Sequence, residues 1–244
     1  MHKKGKERQN PILVVCEGYE ESYLLEYLAE NSKVKLNLMP CNGGTADSIV
    51  ITAIKHSARG CEVYAFFDED FEQRPNAQIA DETLESLVRL WGVKTTGLKV
   101  RPYGKLQNIN KNKKNPILIV SNPNSIEGLI LQVYGIPLKT LVGKTTKQLK
   151  NDLDSLIDKC VLTEEDKERI LFFDEKLSKY GHEMQHASSN EEKRHFQSKS
   201  NEWNRKKSKV RFMRFLHEFL PIAKISSMRT SVPVIDILLN AFQL

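Results

Sequence analysis

The chain has 244 residues, 40% hydrophobic and 28% charged, with a formal net charge of +6. That is enough apolar material for one large core or two small ones, which excludes a disordered chain, and no stretch approaches the ~20 apolar residues of a membrane helix. No apolar signal core follows the basic start at Met1–Lys6, and the four cysteines lack paired C-x-x-C spacing, so a cytoplasmic protein with reduced thiols is expected rather than a secreted disulfide or cysteine-zinc scaffold.

The first element is the run Pro11-Ile12-Leu13-Val14-Val15-Cys16, which goes straight into Glu17-Gly18. A short continuous apolar run rich in Val and Ile predicts a strand buried on both faces of a parallel sheet. A helix follows from Gly18 to about Glu30, with Tyr23, Leu24, Tyr27 and Leu28 at helical spacing. Residues 34–39 read as a second strand. Gly43-Gly44-Thr45 is a glycine loop, and Asp47 or Ser48 caps a helix reaching about Ala58. Residues 62–67 form the next buried strand and end in Asp68-Glu69-Asp70.

Further elements are a helix over 81–91, a strand over 94–101 and a Lys/Asn-rich loop over 104–115. Pro116-Ile117-Leu118-Ile119-Val120 is another buried-type strand. It leads through Ser121-Asn122-Pro123 and Glu127 into an apolar helix over 128–134. This alternation of strand and helix predicts an α/β fold with a parallel sheet flanked by helices. Beyond residue 136 the chain reads as helical: 145–159, 163–180, 191–220 and 234–242. The domain division is therefore a core over 11–135 and a helical, basic C-terminal region over 136–244, either separate or packed on the sheet.

Carboxylates at the carboxyl ends of parallel strands lie where open α/β sheets place their sites. Asp68 and Asp70, at i and i+2 of an extended segment, point to the same side and can share a cation, and Glu17 joins them from a neighbouring strand tip. Clustered carboxylates select a hard cation such as Mg²⁺ or Mn²⁺. Acids also follow strands as ordinary cap and turn residues, and the matched pair of strand ends tips the reading toward a site.

Val15-Cys16-Glu17-Gly18 with its acidic helix, the Gly43-Gly44 loop and Phe66-Phe67-Asp68-Glu69-Asp70 together resemble the TOPRIM domain of topoisomerases, primases and nucleases. Ser121-Asn122-Pro123 with Glu127 narrows the resemblance to the RloB-like proteins. It covers residues 11–135 and implies Mg²⁺-dependent phosphodiester chemistry. Glu17 would be the acid/base residue and metal neighbour, Asp68 and Asp70 the metal ligands, and Glu127 a supplementary acid, with Ser121 and Asn122 orienting it or touching phosphate. It also implies bacterial anti-phage defence beside an ATPase partner. A homo-oligomer is compatible with it, and the substrate is left as RNA, including tRNA, or DNA. The alternative is a non-catalytic module of a defence complex that binds nucleic acid or a nucleotide.

Gly43 and Gly44 could cradle phosphate, although no Lys-Ser/Thr ending makes them a P-loop. Between Glu191 and Phe215 lie nine Lys/Arg against three Glu. Lys206, Lys207, Lys209, Arg211 and Arg214 are therefore candidate phosphate contacts, while Phe212, Phe215 and Phe219 read as a core stripe. His182-Glu183-Met184-Gln185-His186 matches the zinc-peptidase pattern H-E-x-x-H literally, but its wholly polar setting favours a solvated helix end.

Overall fold

The computed structural model describes residues 11–41, 49, 52, 53, 56, 62–68, 94–95, 117–121 and 125–244. Among the described residues, five parallel strands form one sheet: β1 (Ile12–Cys16), β2 (Leu36–Pro40), β3 (Glu62–Asp68), β4 (Lys94–Thr95) and β5 (Ile117–Ser121). Their order is β2-β1-β3-β5-β4. The fold is α/β, with a parallel sheet and helical cover.

Two compact units divide the chain. One comprises residues 1–151 with 222–244 and carries the sheet; the other comprises 152–221. In the sheet unit, β1 is buried along its whole length, and Val63 to Phe67 of β3 are buried too. This is the two-faced burial that continuous apolar runs require. Helix α1 (Tyr19–Glu30) packs on β1 and β2, and α2 (Ile126–Tyr134) packs on β5. Ile49, Thr52, Ala53 and His56 are helical, with Ile49 and Ala53 fully buried. Gly135 ends α2 with φ of +123°, a conformation that costs glycine least, and its N–H caps the Leu131 carbonyl. Short α3 (Leu138–Leu141) follows, then α4 (Thr146–Ile157), which runs across the division.

The second unit is built on two long antiparallel helices, α5 (Glu164–His186) and α6 (Asn190–Phe219). Both begin with capping boxes, Thr163 with Asp166 and Ser189 with Glu192. Phe212, Phe215 and Leu216 are buried, and Trp203 packs edge-on against Phe172 and tilted against Phe173. Helix α5 continues six residues past the expected end at Tyr180, because Gly181 sits inside it without terminating it.

The chain then returns to the sheet unit through α7 (Ile222–Ser227) and α8 (Pro233–Phe242). The domain boundaries accordingly differ from the division near residue 135. Helix α8 packs against β5 and α1 and buries Val234, Ile235, Leu238, Leu239 and Phe242. Apolar burial thus assigns this C-terminal segment to the sheet unit. The expected helix over 81–91, the loop over 104–115, and the strand over 94–101 beyond Thr95 lie outside the described residues.

Candidate active site

Strand β1 is followed by α1 and then β2 on one side, whereas β3 pairs with β1 on the other. The connections therefore diverge at β1, and the crevice outside the carboxyl ends of β1 and β3 is a topological switch point, where ligands bind in open α/β sheets. Glu17 and Asp68 stand at these two ends. The ladder hydrogen bonds run one residue past β1, from the Glu17 N–H to the Phe66 carbonyl (3.1 Å) and from the Cys41 N–H to the Cys16 carbonyl (2.8 Å), so the backbone beneath Glu17 is held from both sides. Glu17 Oε2 then accepts the Asp68 N–H at 3.3 Å, joining the tips.

Asp68 also reaches the next element. Its Oδ1 accepts the Ile126 N–H at 2.8 Å, capping the first turn of α2. Ser125 occupies the N-cap position, yet its hydroxyl makes no cap bond. The Ser125 Oγ and Glu127 Oε2 are both buried and make no well-aligned hydrogen bond among the described residues, although the Ser125 hydroxyl lies close enough to favour the Glu127 carboxylate.

A fourth carboxylate, not singled out in the sequence, belongs to the group. Glu21 is the third residue of α1 and folds back so that its Oε2 accepts the Gly18 N–H at 3.1 Å. A Cβ on Gly18 would lie 3.0 Å from that oxygen, so the glycine admits the carboxylate. The signal for Glu21 was present in the sequence: an acid at the third helical position after a strand end is half of a capping box.

Glu17, Asp68, Glu127 and Glu21 are 8, 8, 6 and 2% exposed. Burial, reinforced by the charges of Glu17, Glu20 and Glu127, pushes the Glu21 carboxyl up to about 8. Burial also raises Glu127, opposed by the neighbouring Ser125 hydroxyl and the Lys150 ammonium. The cation nearby is Lys150 of α4, 3.3 Å from Glu20 Oε1. Buried carboxylates at this density are stable with protons or with a cation among them.

The donor chemistry, all carboxylate oxygen, suits a hard divalent cation. Among the described residues, however, no three His, Cys, Asp or Glu side chains converge as a ligand set. Asp70, expected to complete the set, lies outside the described residues, as do Gly43, Gly44 and Asn122. Ser121 ends β5 in register with Asp68. The site brings together Glu17, Asp68 and Glu127, and adds Glu21.

Several basic residues of α6 pair within their own unit. Lys206 pairs with Glu202 and lies 3.8 Å from the centroid of the Trp203 ring, and Lys207 pairs with Asp174. Arg211 pairs with Asp158, and Arg214 with Glu218 and the Val161 carbonyl. Residues 152–221 contain fourteen Lys/Arg and fourteen Asp/Glu, so the unit carries no net charge. Lys209 also has an interaction partner. His182 and His186 are exposed on α5 with rings 4.4 Å apart, and Glu183 faces Lys179 at 3.8 Å. No third ligand joins these histidines among the described residues.

No family model, curated protein or solved structure matches this chain. Among the described residues, no helix is long and apolar enough to cross a membrane.

Proposed function

We propose that the chain is a Mg²⁺- or Mn²⁺-dependent nuclease with a TOPRIM-like, RloB-like site, acting in anti-phage defence with an ATPase partner. The observation that carries the chemistry is the meeting of Glu17 and Asp68 at the switch point, with the buried Glu127 carboxyl in the adjoining first turn of α2. The defence setting and the partner rest on the resemblance of residues 11–135 alone.

In this reading Asp68 and Asp70 hold the cation and Glu17 borders it. When bound, the cation polarises a phosphoryl oxygen and lowers the pKa of a coordinated water. The chain's own residues do the rest. The Glu17 carboxylate accepts a proton from the attacking group, its position set by the Asp68 N–H. Asp68 is fixed by the Ile126 N–H, so its carboxylate does not have to be ordered when substrate arrives. Glu127 contributes a further carboxylate from the rigid first turn of α2.

The test is cleavage of labelled plasmid, single-stranded DNA and total tRNA in Mg²⁺, Mn²⁺ or EDTA. Glu17→Gln and Asp68→Asn are the comparison variants, and Asn keeps an acceptor for the Ile126 N–H. Metal-dependent cleavage reduced on the order of 10²-fold or more in both variants supports the proposal. Binding without cleavage, identical in all three proteins, would replace it with the non-catalytic binding module.

A further inference from the structure

Several α6 cations already pair with acids in a unit of zero net charge, whereas the sheet unit carries its own lysines near the carboxylates. Residues 136–151 contain Lys139, Lys144, Lys147 and Lys150 and no acid. All four belong to the unit that carries the carboxylates. Lys139, Lys147 and Lys150 are exposed. Helix stability does not explain them: the first turn of α4 contains no acid, although the helix dipole favours one there. Lys147 and Lys150, three residues apart, share one face of α4.

Lys150 ties this run to the site. Its Nζ lies 3.3 Å from Glu20 Oε1, and Glu20 is the residue before Glu21 and adds to the field on both Glu21 and Glu127. The Lys150 side chain is half exposed, and its ion pair with Glu20, being this accessible, contributes little. A phosphodiester approaching four carboxylates is repelled unless a fixed cation at their border offsets the charge.

We propose that Lys147 and Lys150 of α4 form the phosphate-binding edge of the site, and that Lys150 releases Glu20 to take a backbone phosphate of nucleic acid. This rests on the nuclease reading and names how that site would grip its substrate. The contact is to phosphate, so it contributes affinity and register without sequence choice.

The experiment measures binding of fluorescein-labelled single-stranded 20-mer RNA and DNA by anisotropy over a salt series, with Ca²⁺ in place of Mg²⁺. The proteins are wild type, Lys147→Ala/Lys150→Ala, Lys147→Arg/Lys150→Arg, Lys206→Ala/Lys209→Ala and Glu20→Gln, each checked for an unchanged melting temperature. Two lost phosphate contacts lower the salt slope by about 1.4 and weaken binding about 25-fold at 0.1 M salt. The expected result is that loss for the α4 alanine pair, recovery with arginine, a smaller loss for the α6 pair, and tighter binding by Glu20→Gln.

Wild-type binding with an α4 alanine pair that binds equally well, or with its salt slope unchanged, overturns the inference and leaves the nuclease reading standing. A Glu20→Gln protein weakened as much as the lysine pair also overturns it, because the ion pair would then be structural. A wild type that neither binds nor cleaves any substrate removes the nuclease reading, and this inference with it.

Discussion

Glu21 makes this fold weaken as pH rises from 5 to 8. Its carboxyl is almost fully buried and titrates at about 8 in the folded chain, against an ordinary value of 4.5. Between those values the folded state holds a proton that the unfolded chain has released, so stability falls with rising pH. The contribution is complete below pH 4.5 and is lost progressively until the folded value is passed. At pH 7 the chain sits two and a half units into that window, and at about 1.4 kcal/mol per unit the cost is about 3 kcal/mol. Glu127 acts in the same direction. Glu21→Gln keeps the shape and the acceptor for the Gly18 N–H but has nothing to ionise. It should therefore be more stable than wild type by about 3 kcal/mol at pH 7 and by about 0.8 kcal/mol at pH 5. The assay is urea denaturation in EDTA, read by pulse labelling of Cys16, which is fully buried in the same unit with its thiol pushed up to about 12. Wild-type stability that is flat or rising between pH 5 and 8, or a variant advantage that does not grow over that range, would refute the reasoning.

Two other outcomes follow from the same structure. Adding Mg²⁺ should raise the melting temperature of the wild type more at pH 8 than at pH 6, because a cation favours the ionised carboxylates; EDTA should reverse the shift, and equal shifts at both pH values would count against a carboxylate site. Phe215→Ala removes a fully buried ring from the helical unit and should cost about 3–5 kcal/mol in urea denaturation, whereas a cost under about 1 kcal/mol would mean that α6 is not held by that face.

The strands and most helices were legible in the sequence because their signals are local. Continuous apolar runs mark β1, β3 and β5, and the Thr163–Asp166 box marks the start of α5. Glu17 and Asp68 were legible for the same reason, since each ends an apolar run. What was not local was not readable. Charge along α6 reads as a basic face, but charge reports only its own segment: Asp174 and Asp158, which pair with Lys207 and Arg211, lie 33 and 53 residues away. Glu21 read as one more acid in a helix start; only folding against Glu17 and Glu127 makes it a buried, proton-holding carboxyl.

By itself, then, the sequence determined the periodicities, the caps and the acids at the strand ends, because each depends on neighbours a few residues away. Tertiary structure decided the strand order that makes β1 and β3 a switch point and the return of α8 to the sheet unit. It also decided which α6 cations meet acids from distant stretches of the chain. Those outcomes depend on which apolar faces and charges meet across long stretches of chain, and hydrophobic burial, being non-directional, leaves no local mark of its partner.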